Sequence, residues 1–399
     1  MNILSIKRKI LDFSRFSGNY LKPLIESKKL KIFHSKNSHI FFGYYDKSPF
    51  NITNEYLLAG QLPIKDQFFD NNTPLTLGFY NLFTEDFNII DRTKAWCWQQ
   101  GARLFWHPIE KNIVTYNKLV NNKYKNIFFD IEKNNIVHIV DCSIYDLSHN
   151  AEFSISLNFE RLQLLRPGYG YEDKGNAGID IKHSFNDGII KTNIQSNKSE
   201  LIIPLSKVCK INPTDQMKDS WHYFNHVSIS PKSTGFIFLH LWDNKIVRSS
   251  RLFYYNISTN KLTQLTENPV SHYSWKNDNE ILVTEEANAR CFYNIYNINS
   301  GEYKTISKEL LFEDGHPSIL KDEKSFIYDN YRDKIGYQSL KLFDMKKQKS
   351  KTLLKTYIPN KYIGENKCDL HPRINKDNSL ISLDLVHKGK RAMGLYRLE

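Results

Sequence analysis

Near the end of the chain, Cys368-Asp369-Leu370-His371 is followed by His387 and preceded by His316. One thiolate and three imidazoles suit Zn2+, which takes tetrahedral sulfur and nitrogen ligands. Four protein ligands leave no open position. The expected centre, His316, Cys368, His371 and His387, is therefore structural, with Asp369 and Asp384 as acceptors that orient the imidazoles. The competing reading is three buried polar histidines and a core thiol. A second constellation is Asn225-His226, His240, Tyr273 and Arg290. A neutral imidazole can take a proton, a phenol can give one, and a guanidinium can neutralise a carboxylate. Together they suit β-elimination of a uronic-acid polymer. There, cations on the carboxylate acidify C5–H, a base removes the proton and an acid protonates the departing O4. Arg248 and Arg251 compete with Arg290 as neutraliser, and His222 competes with His226 as the first histidine. Paired-carboxylate hydrolysis through Asp46, Asp314 and Glu285 or Glu286 ranks last, because no pair stands out.

The elements that must position these groups repeat seven times. A strand marked by Lys47-Ser48-Pro49, Trp106-His107-Pro108, Tyr145-Asp146-Leu147, Val227-Ser228-Ile229, Tyr273-Ser274-Trp275, His316-Pro317-Ser318 and His371-Pro372-Arg373 leads through a polar loop into an apolar run. Interleaved with it, an apolar or aromatic residue precedes a mostly Asn or Asp residue at Tyr80-Asn81, Phe129-Asp130, Thr192-Asn193, Tyr255-Asn256, Tyr296-Asn297, Phe343-Asp344 and Tyr396-Arg397. These second markers lie 41 to 63 residues apart, overlapping the spacing of four-stranded propeller blades. The expected fold is an all-β, seven-bladed β-propeller over residues 31–399. Residues 1–30, with Ile3, Ile6, Ile10 and Phe13 at helical spacing around Lys7, Arg8 and Lys9, read as an amphipathic helical extension. It either packs on the main domain or lies on an anionic membrane surface. The strand-like segment after it is expected to complete the C-terminal blade and so close the ring.

If the repeated first strands line a channel, His226, His240, His272, His316, His371 and His387 stand at matching places and converge on one mouth. Blades one to three carry ordinary turn and core residues there. The third unit has an insertion, 161–185, with Arg166-Pro167-Gly168-Tyr169-Gly170-Tyr171, and such loops often carry binding residues. Tyr45, Gln100, Arg103, Arg166, Tyr169 and Arg248 are the candidates for holding sugar rings, hydroxyls and carboxylates.

Aromatic content of 14% with a mean hydropathy of −0.52 describes a sheet protein whose core relies on Tyr, Phe and Trp between polar turns. The net charge of +12 favours polyanionic partners. Its lysines are dispersed and no nucleic-acid motif accompanies them, so an acidic polysaccharide is favoured over nucleic acid. Five widely spaced cysteines do not read as a disulfide framework. With neither a signal peptide nor a membrane span in sight, residence in the cytoplasm is the expectation.

At Gly43-Tyr44-Tyr45-Asp46-Lys47-Ser48-Pro49, Arg166-Pro167-Gly168-Tyr169-Gly170-Tyr171, Asn225-His226 to Leu239-His240-Leu241-Trp242, Asp314-Gly315-His316-Pro317, and Asp369-Leu370-His371-Pro372-Arg373 to His387-Lys388-Gly389, the chain resembles the propeller polysaccharide lyases. That group includes the ulvan lyases and, more distantly, the oligogalacturonate lyases. The resemblance implies a seven-bladed propeller cleaving uronate polysaccharide by β-elimination. It also implies paired histidines with a Tyr and an Arg at the active site, carried here by His226, His240, Tyr273 and Arg290, and a structural zinc bound by His and Cys. A non-catalytic propeller that binds carbohydrate or protein is the alternative, since the fold hosts many functions.

Overall fold

The computed structural model describes residues 28–64, 73–172, 174–245, 248–306 and 313–398. The helix expected over 1–30 falls almost wholly outside them. The described strands form seven four-stranded antiparallel sheets, and the chain is an all-β, seven-bladed propeller. Blade 1 spans 38–93, blade 2 105–140, blade 3 146–204, blade 4 221–264, blade 5 270–305 and blade 6 318–357. Blade 7 takes three strands from 373–397 and its outer strand, Leu30–Phe33, from the other end of the chain. Leu30 pairs with Tyr396 and Phe33 with Met393, so the expected N-terminal strand completes the last blade.

The two sets of repeated markers have different physical jobs. The Asn and Asp residues close the third strand of each blade, at Asn81, Asp130, Asn193, Asn256, Asn297 and Asp344. Each side chain accepts hydrogen bonds from backbone N–H groups two or three residues on, which starts the turn into the outer strand. Arg397 stands outside the pattern, the outer strand of blade 7 being Leu30–Phe33. From blade 2 to blade 7 the other markers fall on or beside the first strands, and Lys47-Ser48-Pro49 follows the first strand of blade 1.

The insertion between the second and third strands of blade 3 opens with a helix, Phe159–Leu165, capped by the Asn158 side chain on Arg161 N. The chain then folds back across the channel. Gly170 packs so tightly that a Cβ there would lie 2.0 Å from the Phe159 carbonyl oxygen. Arg161 holds the rest of the insertion: buried, it donates to the carbonyls of Gly178, Ile181, Lys182 and His222.

Candidate functional site

Four histidines from consecutive blades meet in the channel: His226 and His272 on the first strands of blades 4 and 5, and His316 and His371 two residues before those of blades 6 and 7. The ring centroids of His272 and His316 lie 4.1 Å apart and those of His316 and His371 4.3 Å apart. Blade 1 adds Tyr44, stacked on His226 at 4.5 Å and edge-on to His371 at 4.9 Å. His226 and His371 both hold left-handed backbone conformations, with φ +51° and +44°. A bulge between Asn225 and Ser228 accompanies the first. Such strain costs about 1–2 kcal/mol in a residue with a Cβ, and here it turns the imidazoles into the channel.

Each histidine has different neighbours, which set its chemistry. His316 Nδ1 faces both oxygens of buried Asp329 (2.9 and 3.0 Å), and Asp329 also accepts from the backbone N–H of His316 and of His371. Gly315 makes this approach feasible, because a Cβ there would fall 1.6 Å from the Asp329 carbonyl oxygen. With Nδ1 holding the proton, His316 presents a bare Nε2. That atom and both ring nitrogens of His371 are buried without a hydrogen-bond partner. His316, Asp369 and His371 each offer a ligand atom, all within 4.8 Å of one another. Two imidazoles and a carboxylate, with orphaned nitrogens converging, fit a divalent transition metal, and Asp329 supplies the outer partner that such a histidine needs. Lys367 pairs with Asp369 at 2.6 Å. Burial works against both charges, yet their mutual attraction prevails, lowering the Asp369 pKa and raising that of Lys367.

His272 Nδ1 meets Asp314 Oδ1 at 3.1 Å, while Ser271 Oγ holds the same oxygen at 2.7 Å. Its Nε2 faces the Tyr331 hydroxyl at 3.4 Å. Burial and the neighbouring His316 lower its pKa, leaving a neutral ring with a lone pair toward the mouth. His226 is more fully engaged. Tyr44 Oη (3.1 Å) and Asn225 Nδ2 (3.2 Å) converge on its Nε2, and Tyr145 Oη lies 3.3 Å from Nδ1. Arg166, whose guanidinium lies over the Tyr169 ring at 5.0 Å, brings the insertion to the same mouth, with Tyr169 edge-on to His226 at 5.8 Å.

The residues singled out from sequence scatter more widely. Cys368 packs with Ile358 and Tyr362 in a separate core cluster, and His387 meets His34 at the end of its strand. Only His316 and His371 of the expected four come together. Asp369, expected behind the ligands, stands among them. Asp384, expected on an imidazole, is instead paired with Arg373 at 3.0 Å. Of His226, His240, Tyr273 and Arg290, His226 alone reaches the channel histidines. Tyr273 is buried, its backbone N–H and carbonyl both bonded to the Tyr45 hydroxyl. Arg290 is exposed at the start of its strand. Arg103 is spent internally, bidentate on Asp46 (3.0 and 2.7 Å) and donating to the Tyr145 carbonyl. Gln100 supports Asn225 at 2.9 Å, and Arg248 pairs with Asp243 at 3.0 Å. Asp329, Tyr331 and Lys367 were not singled out. Asp329 carried a usable signal, being an acid directly after the buried run Phe326-Ile327-Tyr328 in the strand Ser325–Asp329.

His240 belongs to a different group, with His222 and Cys209. Arg251 Nε can only donate, and it lies 3.2 Å from His240 Nδ1, so the His240 proton sits on Nε2. That proton goes to His222 Nδ1 at 2.9 Å, and the His222 proton on Nε2 goes to the Met217 carbonyl at 3.0 Å. Burial pushes the Cys209 thiol up to about 12. Every ring nitrogen is committed and a guanidinium is adjacent, so this chain of hydrogen bonds opposes a cation rather than holding one.

No protein-family model and no curated protein matches the sequence. Solved structures do match. An oligogalacturonate lyase from Vibrio parahaemolyticus superimposes with a TM-score of 0.67 at 12% identity, covering 95% of this chain and 96% of that one. An oligogalacturonate lyase in complex with manganese gives 0.66 at 14%, over 95% and 97%. The β-propeller domain of the Trilobed protease from Pyrococcus furiosus gives 0.51 at 9%, over 92% and 95%. At these identities the likeness establishes the fold alone, a β-propeller, which in this chain has seven blades.

Proposed function

We propose that the chain is a lyase that cleaves an acidic, uronate-containing oligo- or polysaccharide by β-elimination. The observation that carries this reading is the juxtaposition, in one site, of three converging ligand groups (His316, Asp369, His371) with an oriented neutral imidazole (His272). The fold likeness to oligogalacturonate lyases, one of them in complex with manganese, supports it. A divalent cation held by His316, Asp369 and His371 would neutralise the uronate carboxylate and so acidify C5–H.

The chain's own groups do the rest. Arg166 and Lys367 attract and orient the acidic sugar at the rim, with the buried Tyr169 ring supporting the Arg166 guanidinium. Asp314 fixes His272 in the tautomer that leaves Nε2 free to take the C5 proton. Tyr331, beside that nitrogen and partly exposed, can give a proton to the departing O4. His226 acts through Tyr44, whose hydroxyl it holds. The +12 charge concentrates polyanions near the protein.

The test is to incubate the metal-loaded protein with pectin-type, ulvan-type and capsular uronate polymers and their oligomers, following the ultraviolet absorbance of the unsaturated product. His272→Asn should lower the rate at least about 100-fold, the lower end for a proton-transfer group. A folded, metal-loaded protein that releases no unsaturated product from any of them overturns the reading. Saturable binding without turnover would point to a binding propeller instead.

A further inference from the structure

Arg391, in the third strand of blade 7, is fully buried, and its surroundings are incomplete. Its guanidinium lies 4.8 Å from the Phe41 ring and 5.1 Å from the Trp98 ring. Nη1 donates to the Trp98 carbonyl at 3.1 Å. Nε and Nη2 are buried with no acceptor, and so is the indole Nε1–H of Trp98. The other deeply buried arginines are treated differently. Arg103, Arg161 and Arg373 each face a carboxylate, from Asp46, Asp187 and Asp384. Arg251 lacks one but commits Nε, Nη1 and Nη2 to His240, Asn212, Gln264 and Val208. Among the described residues Arg391 has neither compensation.

Its neighbours cannot supply the missing charge. His39, whose Nδ1 accepts the Arg391 backbone N–H at 3.2 Å, is held down to about 4 by burial and by Arg391, and is neutral. Burial pushes the Cys368 thiol up to about 12 against the pull of the Arg391 guanidinium beside its sulfur, so Cys368 keeps its proton and offers only a weak neutral contact. An unpaired charge in such a place costs several kcal/mol unless something pairs with it.

We propose that Arg391, with the Trp98 indole N–H, binds a small inorganic monoanion of the halide class in the seam between blades 7 and 1. Guanidinium and indole N–H groups are donors only, and with the two ring faces turned to the guanidinium an anion would meet the N–H edges. The site lies behind the loop that carries Lys367, Asp369 and His371, since Gln99, next to Trp98, donates to the Lys367 carbonyl at 2.8 Å. A bound anion would therefore brace that loop. The proposal does not depend on the lyase reading.

The experiment is thermal unfolding in chloride replaced by gluconate at constant ionic strength, gluconate being too large for a closed site. Chloride should raise Tm by about 3 °C at a hundredfold excess over its Kd, given unfolding entropy for a chain of this length. Bromide should substitute. Arg391→Met should abolish the response and Trp98→Phe should shift it to higher concentration. Should either variant fail to fold, bromide-grown crystals of the unaltered protein decide, with an anomalous peak expected beside Nε and Nη2. A Tm indifferent to halide, or only water at those nitrogens, overturns the proposal.

Discussion

Replacing Asp384 by Asn tests how the ring is closed. Asp384 is buried in the second strand of blade 7, where its carboxylate accepts from Phe42 N (3.1 Å), Gly43 N (3.4 Å) and both terminal nitrogens of Arg373 (3.4 and 3.0 Å). Arg373, equally buried, also donates to the Gly43 carbonyl and, through Nε at 3.1 Å, to the Tyr44 carbonyl. One ion pair thus joins blade 7 to the segment of blade 1 that carries Tyr44 into the site. The amide keeps the size of the carboxylate, turns one acceptor into a donor facing donors, and leaves a guanidinium without counter-charge. Breaking a buried pair from one side costs about 3–5 kcal/mol. Unfolding entropy of about 2.1 cal/mol/K per residue over 399 residues is about 0.8 kcal/mol/K, so Tm should fall by about 4–6 °C. Melting followed by far-ultraviolet circular dichroism reads this directly. Arg373→Met should cost a similar amount, whereas Asp384→Leu with Arg373→Met should cost less than the sum, since no lone charge remains. Single variants within about 1 °C of the parent, or a double variant that sums them, would refute the argument.

Further outcomes are expected elsewhere in the molecule. Asp329→Asn should weaken manganese or zinc binding, read by calorimetry, by about 10–100-fold, because His316 loses the acceptor that fixes its tautomer. Cys368→Ser and His387→Ala should leave the bound-metal stoichiometry unchanged, and a loss in either would restore the sulfur-containing centre. Arg166→Ala should raise KM for an acidic substrate more than it lowers kcat, and equal losses would contradict a role in attraction and orientation. Stability should also depend on pH through His222 and His39, each held down to about 4 primarily by burial. Their unfolded-state value is about 6.5, so the unfolded chain binds more protons as pH falls below it, and stability is lost from there down to about pH 4, by about 3 kcal/mol per histidine. A urea midpoint equal at about pH 7 and about pH 4.5 would contradict this sign.

The ring was legible because its markers serve local chemistry. An Asx side chain that starts each outer turn must be an Asn or Asp wherever it occurs, so Asn81 through Asp344 repeat visibly. Closure by Leu30–Phe33 was legible for a related reason: Gly394-Leu395-Tyr396 is a strand that needs a partner, and an unassigned strand stood at the other end. The site was legible only in part. Convergence of histidines follows from blade order, which the repeat supplies. Which atoms each ring meets depends on residues far away in sequence. Tyr44 reaches His226 across 182 positions, and Asp329 holds the His371 backbone across 42. The spacing of Arg103 could not reveal that Asp46 and Tyr145 consume its donors.

The expected Cys–His centre is parted by the local backbone. Cys368 and Leu370 each turn into a hydrophobic cluster, Cys368 against Ile358 and Tyr362 and Leu370 against Leu383 and Leu385. His371, in the left-handed conformation at φ +44°, turns instead with Asp369 toward His316. The repeat relates the two carboxylate-held histidines. His272 and His316 stand at corresponding places in adjacent blades, each with Nδ1 on an aspartate. What differs is the other nitrogen: His316 Nε2 converges with Asp369 and His371, whereas His272 Nε2 faces a partly exposed tyrosine hydroxyl. One repeated device, an imidazole oriented by a buried acid, can thus serve as a ligand in one blade and as a proton acceptor in the next.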